Sequence, residues 1–156
     1  APNAHLTAAI WHWDVYYQAA IETAMTCGGA ENFVTEMGGN AYYAGLSEGF
    51  VDASTLNELV AAPGTAAAME AVRELIDSGE WDVFSGVKLN ITVDAEAGTA
   101  AVEQVDAPLM SDGYELKDGE VVEMANPEIV PAGGASVTDD VIKSGMNYNV
   151  AGVVEG

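Results

Sequence analysis

The chain alternates between short apolar blocks and polar, glycine-bearing breaks, and each block predicts an element. Leu6 to Trp11 reads as a short buried strand. Asp14 then offers a carboxylate N-cap for a helix running to about Cys27, where Gly28-Gly29 ends it. A polar loop follows. From Asn40 to Leu46, Tyr42 and Tyr43 favour a strand, and Gly45 lets the backbone bend or a neighbour approach closely. Ser54 to Ala61 reads as a short helix closed by Pro63. Thr65 caps the clearest helix in the sequence, with Met69, Val72 and Ile76 on one face and Gly79 at its end.

Beyond Gly79 the pattern turns to strands. Trp81 to Phe84, Val87 to Val93 and a hairpin over Leu109 to Met124 are expected, with Lys117-Asp118-Gly119 as the hairpin turn. Pro127 and Pro131 interrupt before Thr138 caps a short helix from Asp139 to Ser144, and the chain closes on the apolar run Val150 to Val154. No internal repeat is present. This mixture of helices and strands, in 156 residues of which 49% are apolar, fits one α/β unit over 1–156 with no internal boundary.

Charge changes the picture of partners. Twenty-five Asp and Glu face only Arg73, Lys88, Lys117 and Lys143, a formal net charge of -21. Nucleic-acid binding draws its affinity from Lys and Arg displacing counterions, so no nucleic-acid partner is expected. A saline habitat would suit such a surface, because salt screens its self-repulsion. No apolar run reaches eighteen residues, so no membrane-spanning helix is expected.

Candidate chemistry centres on Trp11-His12-Trp13-Asp14-Val15-Tyr16-Tyr17, five aromatic rings in seven residues at a strand-to-helix junction. Exposed there, such rings stack on a flat solute; packed inward, they build core. Other chemistry is poorly supplied. His5 and His12 would point to opposite faces of a regular strand, and no metal site is assigned. Cys27 is alone and reads as a small hydrophobe. No serine sits in a Gly-x-Ser-x-Gly elbow, and the paired glycines lack the spacing of a phosphate loop. Among 25 carboxylates, the closeness of two carries little information about acid–base work. Asn90-Ile91-Thr92 matches a glycosylation tripeptide but falls in an expected strand. Neither a catalytic residue nor a cofactor is assigned.

Four segments in this order resemble the carboxyl-terminal part of the basic membrane protein family, substrate-binding proteins of ABC importers that include purine nucleoside receptors. They are Leu6-Thr7-Ala8-Ala9-Ile10-Trp11-His12-Trp13-Asp14-Val15-Tyr16-Tyr17, Tyr43-Ala44-Gly45-Leu46-Ser47-Glu48-Gly49-Phe50-Val51-Asp52, Ile76-Asp77-Ser78-Gly79-Glu80-Trp81-Asp82-Val83-Phe84, and 145–156, which begins Gly145-Met146-Asn147-Tyr148. The resemblance implies a periplasmic binding protein fold of the first type, with two α/β lobes, three hinge crossings and a ligand closed between them. A whole member is about twice as long, so this chain would lack the upstream lobe with its lipidation Cys and its sugar-binding acidic residue. The implied location is periplasmic or extracytoplasmic, anchored through that missing amino-terminal lipid, and the implied partner is a membrane-embedded ABC permease.

Members that bind nucleosides often carry Lys at the end of the first strand, where this chain has Trp11. An indole offers a stacking face and one N–H donor, which fits a purine base or another flat solute. Trp13 and the backbone near Gly45 are the other ligand-binding positions that the resemblance implies. The expected function is therefore reversible binding of a purine nucleoside, nucleobase or similar small polar ring compound, with no enzymatic step. The rival readings are a small carboxylate-dependent enzyme, which needs two acidic groups converging in a pocket, and a self-associating interaction module, which needs an exposed apolar face.

Overall fold

The computed structural model describes residues 4–152 of the chain. Ala1-Pro2-Asn3 and the end of the Val150 to Val154 run lie outside the described residues, as does the end of the last family-like segment. Helix and strand are mixed, as the sequence predicts, and every strand pairing is antiparallel.

Strand β1 covers only Ala9–Trp11 of the expected Leu6 to Trp11 strand and is not buried, because its one partner is the three-residue β2 (Val51–Ala53), with Trp11 opposite Val51. Helix α1 (Trp13–Thr26) starts immediately after β1. Asp14 is not its N-cap. His12 holds that position without a side-chain cap, and Asp14 sits in the first turn, where its charge suits the helix dipole. Gly28 at φ +75° ends the helix as expected. The following segment is not a loop but α2 (Ala30–Glu36), anchored by the Asn32 side-chain amide donating to the Cys27 carbonyl at 3.0 Å.

Residues 40–46 form no strand. The backbone turns at Gly45, whose carbonyl accepts from the amides of both Phe50 and Val51 at 3.1 and 3.2 Å. Nor does Ser54 to Ala61 form a helix. Ser54 and Asn57 give their side chains to the 5–8 backbone instead: Ala8 N–H donates to Ser54 Oγ at 3.0 Å, and the Asn57 amide donates to the His5 carbonyl at 2.9 Å. Short polar side chains that bond to backbone compete with helix formation in this way.

Helix α3 (Thr65–Asp77) appears where its apolar spacing predicts, with Gly64 rather than Thr65 at the N-cap. Gly64 adopts φ +83°, and a Cβ there would overlap the Val93 side chain, so the helix start rests directly on the next hairpin. That hairpin joins β3 (Val87–Asp94) to β4 (Thr99–Asp106) in unbroken register from Val87–Asp106 to Asp94–Thr99. Asp94 Oδ1 closes its turn by accepting from the amides of Glu96 and Ala97, both at 3.0 Å. The expected strand at Trp81 to Phe84 is a turn, because the Asp82 carboxylate captures the Phe84 amide at 2.7 Å.

The last sheet is built on β5 (Leu109–Lys117). Strands β6 (Glu120–Glu123) and β7 (Glu128–Val130) follow one another along one edge, and β8 (Tyr148–Val150) pairs along the other. Asp118 at φ +53° and Gly119 at φ +85° form the two-residue turn that the Asp-Gly pair predicts. Thr138 does not cap an α-helix; its carbonyl accepts the Val141 and Ile142 amides ahead of a single π-type turn at Val141–Gly145. Buried Gly86 ties this sheet to the β3–β4 hairpin: its carbonyl accepts from Ala107 and Gly133, and its amide donates to Gly134.

Burial is sparse. Among the large apolar side chains of the described residues only Phe50, Leu109 and Val130 are buried, and the accessible surface is 10,705 Å². A folded monomer of this mass exposes about 7,500 Å². Apolar side chains stand open on all three sheets and on α1.

Candidate functional site

The strand-to-helix junction at 11–17 folds into an aromatic recess. Because β1 ends at Trp11 and α1 starts at Trp13, the two indoles leave the backbone almost together, with centroids 5.7 Å apart and planes at 76°. Tyr16 lies one helical turn on from Trp13 and meets it edge to face at 6.2 Å. The 40–46 segment brings Tyr42 against Tyr16 at 5.3 Å, and the Gly45 turn delivers Phe50 against Tyr42 at 5.2 Å and against Trp13 at 5.8 Å. Trp13, Tyr16, Tyr42 and Phe50 thus close a circuit of four rings, each meeting the next at a steep angle. Edge-to-face contacts of this kind stabilise by about 0.5–1.5 kcal/mol per pair beyond the area buried.

This circuit surrounds a recess of about 560 Å³, completed by Trp11, Tyr43, Ala44 and Val51. Phe50 is its buried floor. The walls are open: Trp11 is 62% exposed, Trp13 50% and Tyr43 62%. The His12 amide donates to the Phe50 carbonyl at 2.8 Å, which fixes floor and wall to each other through the backbone. Among the described residues no carboxylate lines the recess. At its side, Lys143 Nζ stands 4.7 Å from the centre of the Tyr43 ring and donates to Asp139 at 2.7 Å. The bond to Asp139 raises the Lys143 pKa above its ordinary value, so the ammonium stays charged.

Of the three positions implied for ligand contact, Trp11 and Trp13 line the recess together. Gly45 does not. Its amide donates to Glu48 Oε2 at 2.8 Å and its carbonyl is taken by Phe50 and Val51, so its work is to hold the turn behind the recess. The Gly45 amide, followed by the Ser47 hydroxyl, keeps the Glu48 carboxyl below its ordinary pKa. No short-range pattern links Tyr42, Tyr43 or Phe50 to Trp11, although their aromatic density is a usable signal.

A second recess, of about 680 Å³, lies between α3, β2 and the β3 strand. Met69, Val72 and Ile76 of α3 face Leu56, Ile91 and Val93 across it. Its polar corner is Arg73, which grips the Asp52 carboxylate. His12 Nε2 stands 3.9 Å from the same carboxylate.

Among the described residues no three His, Cys, Asp or Glu side chains gather as a metal site. No helix of the described residues is long and apolar enough to cross a membrane. Comparison of the chain with protein-family models, with curated proteins and with solved structures finds no match.

Proposed function

We propose that the aromatic recess binds a small flat ring compound, reversibly and without chemistry, and that a purine nucleoside or nucleobase is the ligand class. The observation that carries this reading is the pair of half-open indoles, Trp11 and Trp13, held at steep angles above a buried Phe50 floor. A planar solute stacks on one exposed ring while the edges of the others close round it, and the rigid circuit loses little side-chain freedom on binding. The Trp11 and Trp13 indole N–H groups are the donors that such a ligand's ring nitrogens and oxygens accept from. Lys143, beside Tyr43, supplies a positive charge near the recess in a strongly acidic protein.

The wider role we propose is that of a solute receptor. On this reading the chain is the carboxyl-terminal part of an extracytoplasmic binding protein of the first periplasmic type, delivering its ligand to an ABC permease. That part of the proposal is supported by the four family-like segments, two of which, at 6–17 and 43–52, supply every ring of the recess except Tyr42.

Ligand-dependent thermal stability tests the reading, because a ligand that binds only the folded state stabilises it by about 2.7 kcal/mol at a hundredfold excess over its dissociation constant. Adenosine, guanosine and hypoxanthine should raise the unfolding midpoint and quench indole fluorescence; glucose and glutamate should do neither. A shift with sugars or amino acids and none with purines would overturn the ligand class.

A further inference from the structure

The β3–β4 hairpin is a two-stranded sheet, a size that is only marginally stable by itself. One face of it is covered by α3, yet the outer edge of β3 pairs with no other strand among the described residues. The direction of that edge follows from the register. The Ala107 amide donates to the Gly86 carbonyl at 2.9 Å, one step before the ladder, and hydrogen-bonded and non-bonded pairs alternate along an antiparallel ladder. The backbone groups of Lys88, Asn90, Thr92 and Asp94 therefore face β4, and those of Leu89, Ile91 and Val93 face outward. Val87 agrees with this phase, because its carbonyl is turned away from β4 to accept from the Trp81 indole at 2.8 Å.

We propose that this outward edge pairs antiparallel with the same edge of a second copy of the chain, about a two-fold axis at Ile91. The sequence of β3, Val87-Lys88-Leu89-Asn90-Ile91-Thr92-Val93-Asp94, is self-complementary in that register. Ile91 meets Ile91, Leu89 meets Val93, Asn90 meets Thr92, and Lys88 meets Asp94 twice. Opposite charges directly across a pair of strands attract, and a slide of two residues either way sets Lys88 against Thr92 or Asp94 against Asn90, so the charges select one register.

The apolar side of β3 also finds cover. Ile91 and Val93 line the recess beside α3 and are 44% and 43% exposed. Residues opposite one another in a sheet share a face, so Leu89, Ile91 and Val93 of the second copy would extend that floor. The outer edge of β4 offers no such match: its charged residues are Glu103 and Asp106, which repel their own copies. Each copy carries a net charge of -21, so pairing should tighten as salt screens the mutual repulsion.

Light scattering and sedimentation of the purified protein in about 0.5 M salt, where the Debye length is a few ångströms, test the proposal. The expected mass is twice that of the chain. Lys88→Asp should weaken the dimer by about tenfold or more, and Lys88→Asp with Asp94→Lys should restore it to within about threefold. Ile91→Pro removes an N–H that faces outward, so it should abolish the dimer while far-ultraviolet circular dichroism stays unchanged. A monomer at ~0.5 mM protein, or a dimer that Lys88→Asp and Ile91→Pro both leave intact, would overturn the proposal.

Discussion

Arg73 on α3 grips Asp52 on β2 through both carboxylate oxygens, at 2.6 and 3.1 Å, and so joins the helix-and-hairpin half of the chain to the strand pair that carries the aromatic recess. The Arg73 hydrogen bonds, followed by the Ala53 amide, hold the Asp52 carboxyl below its ordinary pKa of 3.8. A lowered carboxyl pKa stabilises the fold above its ordinary value, and that contribution is lost as pH falls through the lowered one. Arg73→Met should therefore lower the unfolding midpoint at neutral pH by no more than a few degrees, since the pair is solvent-exposed. The difference from the natural chain should vanish in thermal scans well below pH 3.8.

Phe50 is one of three buried large apolar side chains among the described residues and touches two members of the ring circuit. Phe50→Ala should cost about 3–5 kcal/mol, at the upper end of core truncations, because so little else is buried to compensate. Urea unfolding followed by indole fluorescence reads this directly, since Trp13 lies against the deleted ring.

Trp11 is the test of the site rather than of the fold. At 62% exposure its removal leaves no cavity and gives up one edge-to-face contact, so Trp11→Ala should lower the unfolding midpoint by no more than a few degrees while weakening purine binding. The loss of one stacked ring corresponds to about 1–3 kcal/mol, between roughly fivefold and 150-fold in affinity. Calorimetric titration of both proteins separates the two effects.

Gly86 should tolerate no side chain. A Cβ there would overlap the Pro131 carbonyl oxygen and come within 2.6 Å of the Gly134 amide nitrogen, both backbone atoms that cannot swing aside. Gly86→Ala should lose about 1–3 kcal/mol or more. Gly45→Ala is the contrast, because its new methyl meets only the Glu48 carboxylate at 3.3 Å, the movable end of a side chain, and its midpoint should change little.

Elements with a strong local signal were legible in the sequence. The spacing of Met69, Val72 and Ile76 located α3, and Asp118-Gly119 located the β5–β6 turn, because helix period and positive φ are local properties. Strand β4 was missed: Ala100 and Ala101 have weak strand preference, and its pairing with β3 is what makes it a strand. The expected strands at 40–46 and 81–84 failed for the opposite reason. There Gly45 and Asp82 engage nearby backbone groups and turn the chain before any partner strand can pair. Of the recess, the Trp11 and Trp13 side was visible as an aromatic run, whereas Tyr42 and Phe50 join it only through the antiparallel pairing of β1 with β2, which no short-range pattern announces.

The sparse burial described above has a calorimetric consequence for the isolated chain. Unfolding a protein that already exposes 10,705 Å² hydrates less new apolar surface than 156 residues ordinarily would, so its heat-capacity increment should fall below the usual ~12–15 cal/mol/K per residue. Its denaturant dependence should be shallow for the same reason. A smaller increment flattens the curve of stability against temperature, so a single chain should melt over a broad range and gain little from cooling.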